Sequence, residues 1–371
     1  MSQMESWQGR LPEVFGGPKS APSEADLRRD PRVLRFLQQA RSESTQRAYR
    51  RYITMYLDFC AETGRTHLPG TSATLEAYAA WLAERPVTKG RNKGKLGMAP
   101  ASIQLALSAV RALHHAHDHD APSTRLAKVV VEGHARERAN DPEILDGKQA
   151  PAIRLPTLVE LIAACDPDTN AGLRDRAMLT LGLAMMARRS ELAIIDIVHL
   201  RDVEAGEEVF LRKSKTDQHG KGRTVKVPWF TAMPDLCPVR YVRAWRAKLA
   251  GQGIADGPLF RAVDRHDNVH GTAAWAGKPG HSVRMDPQTV ERVIARAALK
   301  AAVPDASSYK GHSLRAGGAT VAREYGADVL FIARQGGWSE RSPVVFRYIR
   351  DVDEWEHNPM RLIGTNRRGS S

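Results

Sequence analysis

Apolar residues recur at intervals of three and four through most of the chain, and alternate in only one short region. Tyr49, Tyr52, Ile53, Tyr56, Leu57 and Cys60 form one such stripe. It predicts a helix from about Thr45 to Glu62 whose apolar face is core, with Arg47, Arg50 and Arg51 at polar positions near its start as candidates for phosphate contacts. Leu75, Tyr78, Ala79 and Leu82 mark another helix, and Ile103, Leu107, Val110 and Leu113 a further one. A fifth opens near Ser123-Thr124 and carries Leu126, Val129 and Val130. Before these, Asp30-Pro31 is an N-cap followed by proline at the first helical position, leading into Val33, Leu34, Phe36 and Leu37. Residues 1–25, rich in Gly, Pro and Ser, read as a disordered arm.

The periodicity lapses over 139–156, where Asn140-Asp141-Pro142 and Gly147-Lys148-Gln149-Ala150-Pro151 read as a linker. Helices follow near Leu158–Cys165 and Leu173–Met186, with a short one from about Ser190. Glu208–Arg212 and Arg223–Pro228 read as two strands joined by the polar turn Thr216–Gly222. Helices return at Pro238–Leu249 and, after Asp286-Pro287, at Val290–Ala301. The predicted fold is mainly α with a small antiparallel β-sheet in the C-terminal domain (α+β). The domains are 26–138 and 157–371.

With 371 residues the chain can bury two cores, and its formal charge of +13 points to a polyanionic partner, nucleic acid first. Three distant cysteines, Cys60, Cys165 and Cys237, suggest neither a disulfide framework nor a thiolate metal site, and fit a reducing cytosol. The longest apolar run, around Leu179–Ala187, is too short to span a bilayer, so a soluble protein without membrane contact is expected. Lys89, Arg91, Lys93 and Lys95, interleaved with glycines, form either a solvated loop or a phosphate-contacting one. His115 and His119, in the cluster from His114 to Asp120, are four apart like helical metal ligands. Asp120-Ala121-Pro122 ends the helix there, however, and histidines suit a helix C-terminus, so no metal is assigned.

Chemistry concentrates between His312 and Tyr348. In His312-Ser313-Leu314-Arg315 an imidazole and a guanidinium share one helical face and can both reach a single phosphate. Tyr348 lies further on, able to attack that phosphate if the fold returns it. In Arg188-Arg189-Ser190-Glu191-Leu192, two arginines stand where one helix ends and another begins, with Glu191 placed to orient Arg188. A positioned guanidinium is what a phosphodiester needs as charge accumulates in its transition state. A phenol with a pKa near 10 is a poor nucleophile at neutral pH, so two cations and an imidazole are suitable activators.

These motifs, with Lys215 in Ser214-Lys215-Thr216 and with Gly336-Gly337-Trp338, occur in the order that resembles a tyrosine recombinase, the phage integrase family. Trp338 and the run Tyr348-Ile349-Arg350-Asp351 look most Cre-like. The resemblance spans residues 155–352, whereas the first domain agrees only in helical character and basic loops. It implies a two-domain, C-shaped DNA clamp, with 26–138 the N-terminal core DNA-binding domain and 157–371 the catalytic domain. It also implies that Arg188 and Arg315 clamp the scissile phosphate, supported by Glu191, and that Tyr348 forms a 3′-phosphotyrosine. Lys215 would protonate the leaving 5′-oxygen, His312 would act as acid or base, and Trp338 would hydrogen-bond through its indole NH. The implied partners are double-stranded DNA with inverted-repeat target sites and three further copies of the chain, in a homotetramer on two duplexes. Neither cofactor nor metal is implied. The implied setting is the cytoplasm, in a bacterial, phage- or plasmid-encoded protein associated with the nucleoid.

Some choices stay open. Lys213 competes with Lys215, and Arg189 with Arg188, although the family pattern sets the arginine three before the glutamate. His281-Ser282-Val283-Arg284 repeats the H-x-x-R spacing but precedes a helix start and lacks the following tryptophan and tyrosine. Tyr325, ahead of Gly326 as a helix stop, reads as core. Trp338 and Tyr348 stand one position further apart than is usual in the family, with Ser342-Pro343 suited to start the tyrosine helix after a longer loop. The apolar residues Trp355, Met360, Leu362 and Ile363 either fold back on their own domain or dock on a neighbouring subunit. Two other functions share parts of this pattern: type IB topoisomerase or telomere-resolvase cleavage without two-site exchange, and DNA binding by a regulator without cleavage.

Overall fold

A computed structural model describes residues 42–88, 93–94, 97–141, 150–212, 222–277, 280–340, 344–349 and 360. The chain divides into two compact units, Met1–Lys148 and Gln149–Ser371. The arm at 1–25, the helix expected at 33–37, Lys89, Arg91, Lys95, and the loop carrying Lys213 and Lys215 lie outside the described residues.

The first unit packs four helices, α1 (Glu43–Thr63), α2 (Ser72–Glu84), α3 (Pro100–Ala116) and α4 (Arg125–Ala139). Ser42 caps α1 by accepting the Thr45 amide, and Gly64, in the left-handed region, ends it. The α1 stripe reaches the core through Tyr52, Tyr56, Phe59 and Cys60, while Leu57 falls at its exposed edge. Tyr56 and Phe59 meet Tyr78 of α2 with ring centroids 5.2 and 5.4 Å apart. The buried Tyr78 hydroxyl donates to the Tyr52 carbonyl at 2.9 Å, as a polar tip in an apolar core must. On α4 the buried positions are Ala127, Val131, His134 and Arg138; Leu126 and Val129 face outward.

His114 shows what part of the histidine cluster does. It is fully buried; Nε2 accepts the Gly70 amide at 2.8 Å and Nδ1 lies 2.9 Å from the Val110 carbonyl. With Nε2 as acceptor, Nδ1 is left to donate to the Val110 carbonyl, and the ring joins α3 to the turn before α2. No group of three or more potential ligands is placed to hold a metal ion among the described residues.

The second unit is built around α6 (Asn170–Ala184), whose residues from Ala177 to Leu183 are all buried. A helix apolar on every side belongs inside, and its neighbours cover it. They are α5 (Leu155–Ala163), the short α7 (Arg189–Ala193), α8 (Pro238–Ala250) and α10 (Gly311–Glu324), while α9 (Pro287–Lys300) packs against α7 and α5. After α10 comes α11 (Val329–Gly336), then a helical turn at 346–349. The sheet has three strands rather than two. β1 (Leu200–Val203), β2 (Gly206–Leu211) and β3 (Arg223–Pro228) lie antiparallel in the order β1-β2-β3, with Leu211 opposite Arg223.

Tyr325 is a second correction: it follows the end of α10 and is 69% exposed, because Gly326 takes the left-handed turn just beyond it. No described helix is long and apolar enough to cross a membrane.

Candidate active site

The end of α6 sets the first arginine. Its C-terminal turn closes with the Ala187 amide bonded to the Gly182 carbonyl at 2.9 Å, and Met186 takes a positive φ of 49°. An L-residue there costs about 1–2 kcal/mol, and such strain collects where function needs a particular backbone direction. Arg188 thereby becomes the N-cap of α7. Glu191, three residues in, reaches back: Oε2 accepts the Arg188 amide at 2.9 Å and Oε1 accepts Arg188 Nη1 at 2.6 Å. Glu191 is 1% exposed, so this charge-assisted pair fixes the guanidinium's direction.

On α10, His312 and Arg315 stand one turn apart. Arg315 is 1% exposed, and its Nη1 donates to the Met186 carbonyl at 2.6 Å and the Gly336 carbonyl at 2.7 Å. The strained turn at Met186 and the end of α11 thus hold one guanidinium between them. Burial first, and then the Arg188 charge, push Arg315 down to about 9, which leaves it a cation at neutral pH.

The glycine pair explains the placement of Trp338. Gly337 has φ 65° and closes α11, while the Trp338 amide bonds back to the Ala333 carbonyl at 2.9 Å. A Cβ on Gly336 would sit 1.9 Å from the Trp338 ring, so only glycine lets the indole fold back there. The ring is nearly buried. The Arg315 guanidinium carbon lies 3.7 Å from its centroid, and the Tyr348 ring lies 5.4 Å away. Trp338 therefore offers its π face to Arg315, a contact that the expected indole hydrogen bond did not include.

Tyr348 is returned to the same site. Its hydroxyl makes a short hydrogen bond with His312 Nε2, and the two rings are 5.3 Å apart. Buried Val345 and Ile349 anchor its turn, and Thr320 Oγ1 of α10 donates to the Tyr348 carbonyl at 2.7 Å.

The structure thus brings together Arg188, Glu191, His312, Arg315, Trp338 and Tyr348. Arg189 turns away to pair with Glu291, and Arg284 bonds to Asp196 and the Ala193 carbonyl. In the first unit Arg47, Arg50 and Arg51 are exposed, as is Lys93. Two residues escaped the sequence reading. Thr320 looked like one small residue among several on α10, and Arg223 looked like an ordinary strand residue.

Residues 153–354 match the Phage integrase family, and residues 34–118 match the Phage integrase, N-terminal SAM-like domain. The chain belongs to the phage integrase family, the tyrosine recombinases. This tyrosine recombinase is 27% identical over 342 residues to the Integrase/recombinase xerD homolog of Selenomonas ruminantium, covering 92% of each chain. It is 28% identical over 297 residues to the Tyrosine recombinase XerD of Ralstonia nicotianae, covering 80% of each. Its fold is similar to that of a lambda integrase(75-356) dimer bound to a COC' core site, with a TM-score of 0.50 at 14% identity. That match covers 86% of this chain and 93% of the other. The likeness to Cre rests on Trp338 and residues 348–351 alone.

Proposed function

We propose that this recombinase cleaves and rejoins DNA at specific sites through a covalent 3′-phosphotyrosine, and exchanges strands between two such sites. The observation that carries the proposal is the Tyr348 hydroxyl bonded to His312 beside Arg315 and Trp338. In the proposed step His312 Nε2 takes the phenolic proton as the Tyr348 oxygen bonds to phosphorus. The P–O5′ bond breaks, and Lys215 supplies the proton that makes the departing oxygen a hydroxyl. Arg188 and Arg315 hold the non-bridging oxygens as their charge grows. The phosphotyrosine keeps the ester bond, so attack by another 5′-hydroxyl restores the backbone without a nucleotide cofactor, and no step calls for a metal.

The first unit would hold the duplex through Arg47, Arg50 and Arg51, with Lys89, Arg91, Lys93 and Lys95 as further contacts. Exchange would involve inverted-repeat sites on two duplexes and a homotetramer. The apolar residues after Tyr348 would dock on the neighbouring subunit; normal synaptic complexes from a chain ending at Asp353 would remove that part. The recombinase would work in the cytoplasm at the nucleoid.

The test traps the intermediate. Wild type and Tyr348→Phe are incubated with nicked duplexes tiled across the DNA flanking the gene, in a chelator, and denatured. An adduct from wild type alone is the expected result. Binding by both with no adduct from either would favour a non-cleaving regulator. An adduct without exchange between two marked duplexes would favour a topoisomerase or telomere-resolvase activity.

A further inference from the structure

Arg223 opens β3, yet its side chain runs into the catalytic cluster. Its Nη1 donates to the Gln335 carbonyl at 2.9 Å, and Arg315 Nη1 donates to the next carbonyl, Gly336. The last turn of α11, whose carbonyl end favours cations, thus holds two guanidiniums on successive residues. Gly337 lets Arg223 come this close: a Cβ there would stand 2.9 Å from Arg223 Nε. On the other side, Arg223 Nη2 is 3.9 Å from Glu191 Oε2, beyond hydrogen-bond range.

The donor count is uneven. Arg223 Nε and Nη2 and Arg315 Nη2 are buried with no hydrogen-bond partner among the described residues. Orphaned donors on charged groups are costly and rare in folded proteins. Charge is uneven as well, since among the described residues Arg188, Arg223 and Arg315 gather around one carboxylate, that of Glu191. An anion bound at this cluster would answer both imbalances.

We propose that Arg223 is a third phosphate-binding arginine, sharing the scissile phosphodiester with Arg188 and Arg315. This rests on the phosphoryl-transfer reading of the site. As the Tyr348 oxygen bonds to phosphorus and the P–O5′ bond lengthens, negative charge on the non-bridging oxygens rises, and Arg223 Nη2 donates to it. Held from the strand rather than from α10, Arg223 also ties β3 to the phosphate site.

The experiment measures single-turnover strand cleavage on a nicked duplex that wild type cleaves, for wild type, Arg223→Met and Arg223→Lys. Each is tested with an ordinary phosphodiester and with a neutral methylphosphonate at the scissile position. Arg223→Met is expected to slow cleavage of the diester roughly 10²-fold, with DNA affinity and thermal unfolding close to wild type. On the methylphosphonate, which is neutral before attack and carries one negative charge fewer than the diester throughout the reaction, it should come within a few-fold of wild type. Arg223→Lys keeps the charge but loses the fork, so it should slow the diester about 10-fold and leave the methylphosphonate unchanged. If Arg223→Met does not fold, this second variant carries the test. Diester cleavage at the wild-type rate by both variants would overturn the proposal. Equal slowing on both substrates would also overturn it, because that marks a packing role. If wild type cleaves no substrate, the phosphoryl-transfer reading itself falls and this inference with it.

Discussion

Thr320 and Glu207 show how much depends on single buried polar groups. The Thr320 hydroxyl holds the backbone of the proposed nucleophile, and a small misplacement of a reacting atom can cost orders of magnitude in rate. Thr320→Val keeps the shape and leaves the Tyr348 carbonyl without this donor. We expect single-turnover cleavage to fall about 10-fold with a stability loss of about 1–2 kcal/mol; an unchanged rate would show that Thr320 does not set the tyrosine. Glu207 is a different case, remote from the proposed chemistry. It is 1% exposed on β2 and pairs with Arg246 at 3.0 Å. Burial, with Asp202 beside it, nevertheless raises its carboxyl to about 7, against the pull of Arg246 and Arg243. An unfolded glutamate titrates near ~4.3. Between these values the native chain holds a proton that the unfolded chain has lost, so this group's contribution to stability falls as pH rises, then levels above 7. Thermal unfolding of wild type and Glu207→Gln from pH 4 to pH 8 checks this. The wild-type advantage should shrink with rising pH, and a constant or growing difference would refute the assignment.

At the scale of elements, the ends of helices build the site, and α11 is the critical one. Gly337→Ala would place a side chain in the left-handed region, costing about 1–2 kcal/mol, and drive a Cβ toward Arg223. We expect a lower melting temperature together with a large loss of cleavage, because Trp338 and both guanidiniums are hung from this turn. Gly251→Ala is the control: Gly251 has ordinary helical φ and the nearest contact of an added Cβ is 3.5 Å, so it should be neutral or slightly stabilising. These contrasts also explain what the sequence made legible. The apolar period marked most helices of both units, and Asp286 also marked its own helix start, whereas the caps Ser42 and Thr71 show only in the structure. The order of Arg188, His312, Arg315 and Tyr348 was visible because each sits in a short pattern of its own. β1 was not visible: four residues following a 3₁₀ turn carry no alternation, and only pairing with β2 makes them a strand. Tyr325 was misread because a large aromatic before a helix stop carries no sign of which way the chain turns. Arg223 and Thr320 act through tertiary contacts 112 and 28 residues away, which no local spacing records.

For the whole molecule, the two units have separate cores, and every residue of the assembled cluster belongs to the second. If the first unit serves DNA affinity, its charges should change binding without changing chemistry. Arg47, Arg50 and Arg51 are exposed along α1; among the described residues their one ion pair, Arg47 with Glu43, is 75% and 83% exposed and therefore weak. They are free to exchange solvent counterions for backbone phosphates, and each phosphate so neutralised adds about 0.9 to the slope of log affinity against log salt. Replacing all three with Gln should lower that slope by up to roughly 2.7 and weaken binding most at low salt. Uniform weakening across unrelated sequences would mark these as phosphate contacts, whereas loss confined to the target would mark base reading. At saturating protein the cleavage rate should stay at the wild-type value, since the triple substitution leaves the second unit unaltered. A fall in that saturated rate would mean that α1 acts on the chemistry and that the units do not divide the work.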